Sequence, residues 1–372
     1  SLFSMTFDDN NYGFFVRTSG LLDDDDQFLD LRFAQVLDSN IRGLDSENLI
    51  ILNIEDSIFD GNGDAAAAAG NPDPNGGFLA VNRESIFLNY TERLNNDDLT
   101  LFTQFDNPYT LNVERTTFVD NSDDIIVIAN APAADDSFLD VNITDSDFQM
   151  NDTLDIDPAD LSETAFLMNW DGVARVNLFN NSVSMNGLSG LESQTAFDIE
   201  MDSFTDELIL DIVANTIPIS AQPNAVGINV ETESIASMVI SNNDFTMSGT
   251  NSSGMIFDLG PNNQTAIVNN TMIFQNDGGT GMLFRMVEQP ALFTISGNNI
   301  GLTDLAVGTN ETGILFRTVI GTPTLQGNLN NQIVLLNPGF IPGGGGIPSN
   351  IEIFFQIPRA NGQILVNGGL VP

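Results

Sequence analysis

One pattern recurs down almost the whole chain and constrains its fold more than any other feature. Three apolar residues alternate with polar ones, a short Asn/Ser/Thr/Asp turn follows, and an apolar pair closes the unit. Leu139, Val141, Ile143 and then Phe148, Met150 form one copy; Leu208, Leu210, Ile212 and then Ile217, Ile219 form another. Ala236, Met238, Ile240 and then Phe245, Met247 repeat it. Taking the first apolar residue after each turn as an anchor gives Ile41, Phe59, Ile86, Phe118, Phe148, Val183, Ile217, Phe245, Met272, Ile300 and Leu329. Nine of the ten intervals between them lie between 27 and 35 residues. A fixed period of this size is the mark of a solenoid. Alternation of period two means strand with one buried face, and a sustained period near 3.6 is missing.

The turn has its own signature. Asn181, Asn215, Asn243, Asn270 and Asn298 stand two residues before the anchor, with Ser57, Thr116 and Ser146 in earlier copies. Asn tolerates left-handed backbone and bonds local main chain, so it suits a tight bend. Stacked Asn side chains also have the chemistry to bond one another between coils. A further strand, often introduced by Gly or Ala, follows many turns: Ala165 to Met168, Ala196 to Ile199, Val226 to Val230, Gly254 to Leu259, Gly281 to Met286 and Gly313 to Phe316. Two clear strands and a shorter third in about thirty residues make one coil, whose strands pair in parallel with those of the next.

The copies Val239-Ile240-Ser241-Asn242-Asn243-Asp244-Phe245, Ala266-Ile267-Val268-Asn269-Asn270-Thr271-Met272 and Thr294-Ile295-Ser296-Gly297-Asn298-Asn299-Ile300 resemble the right-handed parallel β-helix of the pectate-lyase-like superfamily, and within it secreted bacterial β-helix repeat proteins. The resemblance covers roughly residues 30 to 335 and implies a fold, since that fold carries lyases, hydrolases, adhesins and inert stalks alike. The expected architecture is all-β: a right-handed parallel β-helix solenoid of about eleven coils, with an N-terminal cap and a C-terminal strand extension. Residues 1–30 read as a cap or assembly segment, 31–337 as the β-helix, and 338–372 as a Gly/Pro linker with strands that cap the coil or reach another subunit. A long insertion, Asp60 to Gly77, reads as a surface loop.

Composition fits this picture. The 372 residues carry 51 acids against 10 bases, all arginine, for a net charge of −41, yet 42% of residues are hydrophobic. The acids therefore coat a surface around an apolar core rather than signalling disorder. The 27 Phe against one Trp and three Tyr suit an enclosed core, because a phenyl ring stacks without needing a hydrogen-bond partner. Nucleic acid and anionic membranes are excluded as partners by charge, whereas cations, calcium above all, are favoured. No apolar run reaches the length of a membrane span. A chain that starts at Ser1 reads as processed, with an extracellular or cell-surface location after loss of a leader.

With no His, Cys or Lys, nucleophilic triads, imidazole acid–base chemistry, thiolate metal sites and lysine-dependent phosphate loops fall away. Carboxylate chemistry or calcium-assisted elimination remains. Asp97–Asp98, Asp123–Asp124 and Asp135–Asp136 are adjacent acid pairs of the kind solvated turns produce. Arg175, Arg285 and Arg317 fall within coil strands and are the only basic candidates for a lyase-type proton acceptor. Arg285 and Arg317 hold matching places in successive coils, where a salt bridge is the plainer role. Asp155, Asp157 and Asp160 have alternate-oxygen spacing and are the candidate Ca2+ ligands, beside the dense run Asp23 to Asp26. The sequence thus points to a non-enzymatic extracellular structural protein: a self-assembling fibre or surface-layer subunit, or an adhesive stalk, with itself and cations as partners. The alternatives are a polysaccharide lyase or hydrolase working in a groove along the coil, and a glycan-binding adhesin of tailspike type.

Overall fold

The computed structural model describes residues 2–8, 12–17, 28–37, 42–47, 51–60, 86–90, 109–119, 125–130, 138–150, 162–186, 193–201, 207–220, 223–233, 235–276, 278–288, 291–303, 312–320, 324–326, 331–336, 351–355, 364–366 and 369–371. All regular structure among these is β, and the strands are parallel except for a terminal antiparallel pair, Ile364–Val366 with Gly369–Val371. The chain is a parallel β-solenoid in two compact units, Ser1–Ser184 and Met185–Pro372. Each turn lays one strand on each of three faces.

In the first unit a representative turn runs through Phe138–Thr144 on the first face, Asp147–Met150 on the second and Ser162–Asn169 on the third. Register is kept from turn to turn: Leu111 pairs with Val141, Val113 with Ile143, and Phe118 with both Phe59 and Phe148. The same three-face order holds for Leu2–Phe3, Thr6–Asp8 and Tyr12–Arg17, which pair in parallel with Phe28–Arg32, Gln35–Leu37 and Arg42–Glu47. In the second unit Ile235–Ser241, Asp244–Met247 and Ser253–Leu259 make one turn. The next is Asn263–Val268, Thr271–Phe274 and Thr280–Glu288. Its C-terminal strands Ile351–Phe355 and Ile364–Val366 pair in parallel with Thr312–Ile320 and Thr324–Gln326.

The alternating residues do what their period demands. Leu139, Val141 and Ile143 are buried, as are Phe148, Phe245 and Phe293. Rings stack along the turns: Phe59–Phe118 at 5.3 Å and Phe118–Phe148 at 4.8 Å in one unit, Phe257–Phe284 at 4.9 Å and Phe284–Phe316 at 4.3 Å in the other. The small residues that open third-face strands have a steric cause. A Cβ on Gly254 would sit 2.7 Å from the Gly281 carbonyl oxygen and 2.8 Å from the Met272 sulfur, so a side chain there would push neighbouring turns apart.

The corner between the first and second faces corrects one expectation. The residue with left-handed backbone is not the Asn two before the anchor but the residue before that Asn: Asn180, Ala214, Asn242, Asn269 and Gly297, with Asp56, Arg115 and Asp145 in earlier turns. This leaves the Asn itself free to point inward and build a ladder. Asn215, Asn243, Asn270 and Asn298 are buried, and each donates from both its backbone N–H and its amide Nδ2 to the Oδ1 of the Asn one turn on, over 2.8–3.1 Å. The Nδ2 of Asn243, Asn270, Asn298 and Asn331 also donates to a backbone carbonyl, those of Ile212, Ile240, Ile267 and Ile295.

The placement of the turns is the other correction. Strands for eleven three-face turns are described, six of them between Tyr109 and Glu288. Three of the anchors were misplaced. Ile86 lies on the third face opposite Ile126, while Phe59 pairs directly with Phe118 across 59 residues of sequence, so no separate turn stands between them. Val36 and Ile333, not Ile41 and Leu329, occupy the second-face position in their turns. An apolar residue after a polar run marks a strand, but only the register shows to which face it belongs.

Candidate functional site

The calcium candidates Asp155, Asp157 and Asp160 lie outside the described residues, as do Asp23 to Asp26, the three adjacent acid pairs and the insertion beyond Asp60. Among the described residues no group of three or more acidic side chains is placed to hold a metal ion. Among the described residues no helix is long and apolar enough to cross a membrane, which leaves strand-based crossing unaddressed.

The structure instead brings together polar groups on the outward side of the third face in the second unit. Four strands carry it: Ser193–Met201, Val226–Thr232, Ser253–Leu259 and Thr280–Glu288. Phe197, Ile199, Ile228, Val230, Met255, Phe257 and Phe284 turn into the core, so the residues between them face out. Register aligns Asp198 with Asn229, Glu200 with Glu231 and Glu231 with Asp258. Between Phe257 and Asp258 the register slips: Phe257 pairs with Phe284 but Asp258 pairs with Met286, leaving Arg285 as the extra residue of a bulge. A bulge re-aims the side chain it carries.

The re-aimed Arg285 reaches back across the face, where its Nη2 donates to Asn229 Oδ1 at 3.0 Å. Asn229 Nδ2 in turn donates to Asp198 Oδ1 at 2.8 Å. An amide thus stands between guanidinium and carboxylate. Burial pushes the Asp198 carboxyl above the usual carboxylate range, opposed by the Asn229 hydrogen bond and reinforced by the Glu231 charge. Burial raises Asp258 as well, with Arg285 pulling the other way. Neither Asp258 Oδ1 nor Arg285 Nε, both buried, has a hydrogen-bond partner. The arrangement can hold a proton on a carboxyl at a pH where an exposed one has lost it. Glu231 and Asp258 stand one strand spacing apart, about 5 Å, whereas Asp198 and Asp258 are separated by two spacings or about 10 Å and by an offset along the strand.

Of the three arginines singled out by sequence, Arg285 belongs to this cluster, Arg317 is exposed at the matching place one turn on, and Arg175 pairs loosely with Asp140 at 4.0 Å while lying over the Phe138 ring at 5.5 Å. Sequence reasoning missed Asp198, Asn229 and Asp258. Each is a polar residue flanked by core positions, as in Phe257-Asp258-Leu259, and that alternation is a signal for an outward group only. It also missed an ion network in the first unit. Arg115 pairs with Glu55, Asp56 and Glu114, and Arg32 with Asp30 at 3.1 Å and Glu55 at 3.2 Å. The Arg115 hydrogen bond holds the Asp56 carboxyl below its ordinary value. The arginines and Glu114 are exposed while Asp30, Glu55 and Asp56 are half-buried, and together they tie the corners of successive turns.

No protein-family description, curated protein or solved structure matches the chain.

Proposed function

We propose that this chain is a non-enzymatic structural solenoid of an extracellular fibre, surface layer or adhesive stalk. The observation that carries the reading is the corner ladder: the second unit spends one buried amide per turn on joining turn to turn, a device that serves persistence of shape. We read the coil as right-handed, because parallel crossovers take that hand in about 98% of cases. The kinship with secreted pectate-lyase-like β-helices belongs to this same reading, as does a net charge of −41 that is best tolerated in salt or beside cations such as Ca2+. Negative-stain imaging of the purified chain with and without calcium tests it. Filaments or sheets of regular width are expected. Dispersed particles under both conditions, together with no binding to cells or cell-wall material, would remove it.

A polysaccharide hydrolase or lyase is the second reading, favoured by one observation. Glu231 and Asp258 are register partners about 5 Å apart on an outward face, the spacing of a retaining carboxylate pair, with Asp258 raised and Arg285 beside it. Release of reducing ends from acidic polysaccharides, lost in Asp258→Asn and Glu231→Gln alike, would establish it in place of the first.

A further inference from the structure

The two units wind the same kind of coil but differ in charge and in how their turns are joined. Residues 1–184 contain 35 acids and 7 arginines, a net −28, and residues 185–372 contain 16 acids and 3 arginines, a net −13, which together make the −41 of the chain. The first unit thus holds more than twice the net charge in almost the same length.

The corners differ in the same sense. In the first unit the inward corner groups are mostly hydroxyls. Ser57 Oγ accepts one N–H from the turn before, that of Ala34 at 3.1 Å, and Ser146 Oγ accepts that of Thr116 at 3.2 Å. The hydroxyl protons of Ser57, Thr116 and Ser146 go to carbonyls two residues back in their own turn, those of Glu55, Glu114 and Thr144. Asn181, the last corner group of this unit, carries two bonds across its junction: it accepts the Ser146 N–H and donates to the Ile143 carbonyl. In the second unit each junction from Asn215 to Asn331 carries three such bonds. Between Asn215 and Asn243, for example, the N–H and Nδ2 of Asn215 both reach Asn243 Oδ1, and Asn243 Nδ2 returns to the Ile212 carbonyl.

From these two differences we infer that the coil carries a salt-dependent switch: below a threshold ionic strength the turns of the first unit part from one another while those of the second stay wound. Net charge far from zero destabilises a compact state through self-repulsion. Screening sets the reach of that repulsion, about 30 Å at 0.01 M salt and about 10 Å at 0.1 M. Turns lie about 4.8 Å apart, so a turn feels about six neighbours on each side at the lower concentration and about two at the higher. A stack in which each turn touches only its neighbours need not unwind as a whole, because its stability is a sum of turn and junction contributions. The half with more charge and fewer junction bonds opens first. The switch is independent of the fibre reading, since it belongs to a single chain.

Trp170 is the only tryptophan of the chain and is buried in the first unit, its ring 6.1 Å from that of Tyr109, so its emission reports that unit alone. With a chelator present to exclude divalent ions, lowering NaCl from about 0.5 M to about 0.01 M should shift the emission of the whole chain to the red, and restoring salt should reverse the shift. Backbone hydrogen exchange should speed up by about tenfold or more over Phe138–Thr144 and by less than about twofold over Asn263–Val268. Combining Asp23→Asn, Asp24→Asn, Asp25→Asn and Asp26→Asn takes the first unit from −28 to −24 and should lower the salt concentration at the midpoint of the Trp170 transition. Exchange that responds to salt equally in both units, or in neither, would overturn the inference. A midpoint left unmoved by the four substitutions would do so as well, because repulsion would then not be the cause.

Discussion

Two regions of the second unit bury polar groups, and they do so in opposite ways. At the corner between the first and second faces, Asn215, Asn243, Asn270 and Asn298 satisfy one another turn after turn. On the outward third face, Asp198, Asn229, Arg285 and Asp258 form a cluster that leaves Asp258 Oδ1 and Arg285 Nε unpaired. The difference lies in the chemistry of the groups. A neutral amide both donates and accepts, so identical copies stacked at strand spacing complete each other indefinitely. A carboxylate only accepts and a guanidinium only donates, so identical charged residues cannot complete one another along the stack. In the described residues of the second unit the cluster forms where a bulge supplies a reach that the regular coil lacks. Periodic satisfaction is a stability device; a single unsatisfied cluster costs stability and retains chemical potential.

The largest effect should come from breaking the ladder in its middle. Asn270→Ala removes the acceptor for the backbone N–H and Nδ2 of Asn243 and the donor to the Ile240 carbonyl. Leaving these buried groups unpaired should cost about 4 kcal/mol, read as a fall in the urea midpoint. A loss under about 1 kcal/mol would mean that the amides are incidental to the stack.

The third-face cluster should respond with the opposite sign. Asp198 and Asp258 are raised in the folded chain, so the native state holds their protons more tightly than the unfolded state does. Their contribution to stability therefore grows as pH falls through the raised values and is lost as pH rises above them. Asp258→Asn should raise stability near neutral pH by about 1 kcal/mol, after allowance for its partial exposure, and should flatten the slope of stability against pH. Denaturation midpoints for wild type and variant between about pH 4 and about pH 7 give the comparison, because every other carboxylate titrates in both. Parallel pH profiles would show that Asp258 is already well solvated.

A smaller gain is expected beside the ladder. Ala214 holds a left-handed backbone with φ of 61° where other turns place Asn242, Asn269 or Gly297. Ala214→Gly should stabilise by about 0.5–1 kcal/mol, because glycine carries no Cβ penalty in that region. The smallest change belongs to the exposed ion network of the first unit. Arg115→Gln should leave the thermal midpoint within error at high salt, and any shift at low salt should disappear as salt is added.

How far these features were legible in the sequence follows from how local they are. The buried strands were readable because alternation is written within five or six consecutive residues, as in Leu139, Val141 and Ile143. The ladder was half readable. Its Asn residues and their stacking stood out by period, but the left-handed position was placed one residue late, since both neighbouring sites in Asn242-Asn243 and Asn269-Asn270 carry the same side chain. Ile86 was read as a turn of its own because a strand on the third face looks like one on the second until pairing shows that Phe59 and Phe118 are neighbours. The cluster was not readable. Asp198 and Asn229 are 31 residues apart and Asn229 and Arg285 are 56 apart, and what joins them is a slipped register rather than a repeated motif.

The Oδ1 acceptors of the corner all face one way. From Asn215 to Asn298, each backbone N–H and Nδ2 donates to the Oδ1 of the turn that follows, while the Nδ2 of Asn243, Asn270 and Asn298 also donates back to a carbonyl of the turn before. Each Oδ1 therefore serves only the turn before it, so the ladder reads differently from its two ends although every step along it is the same.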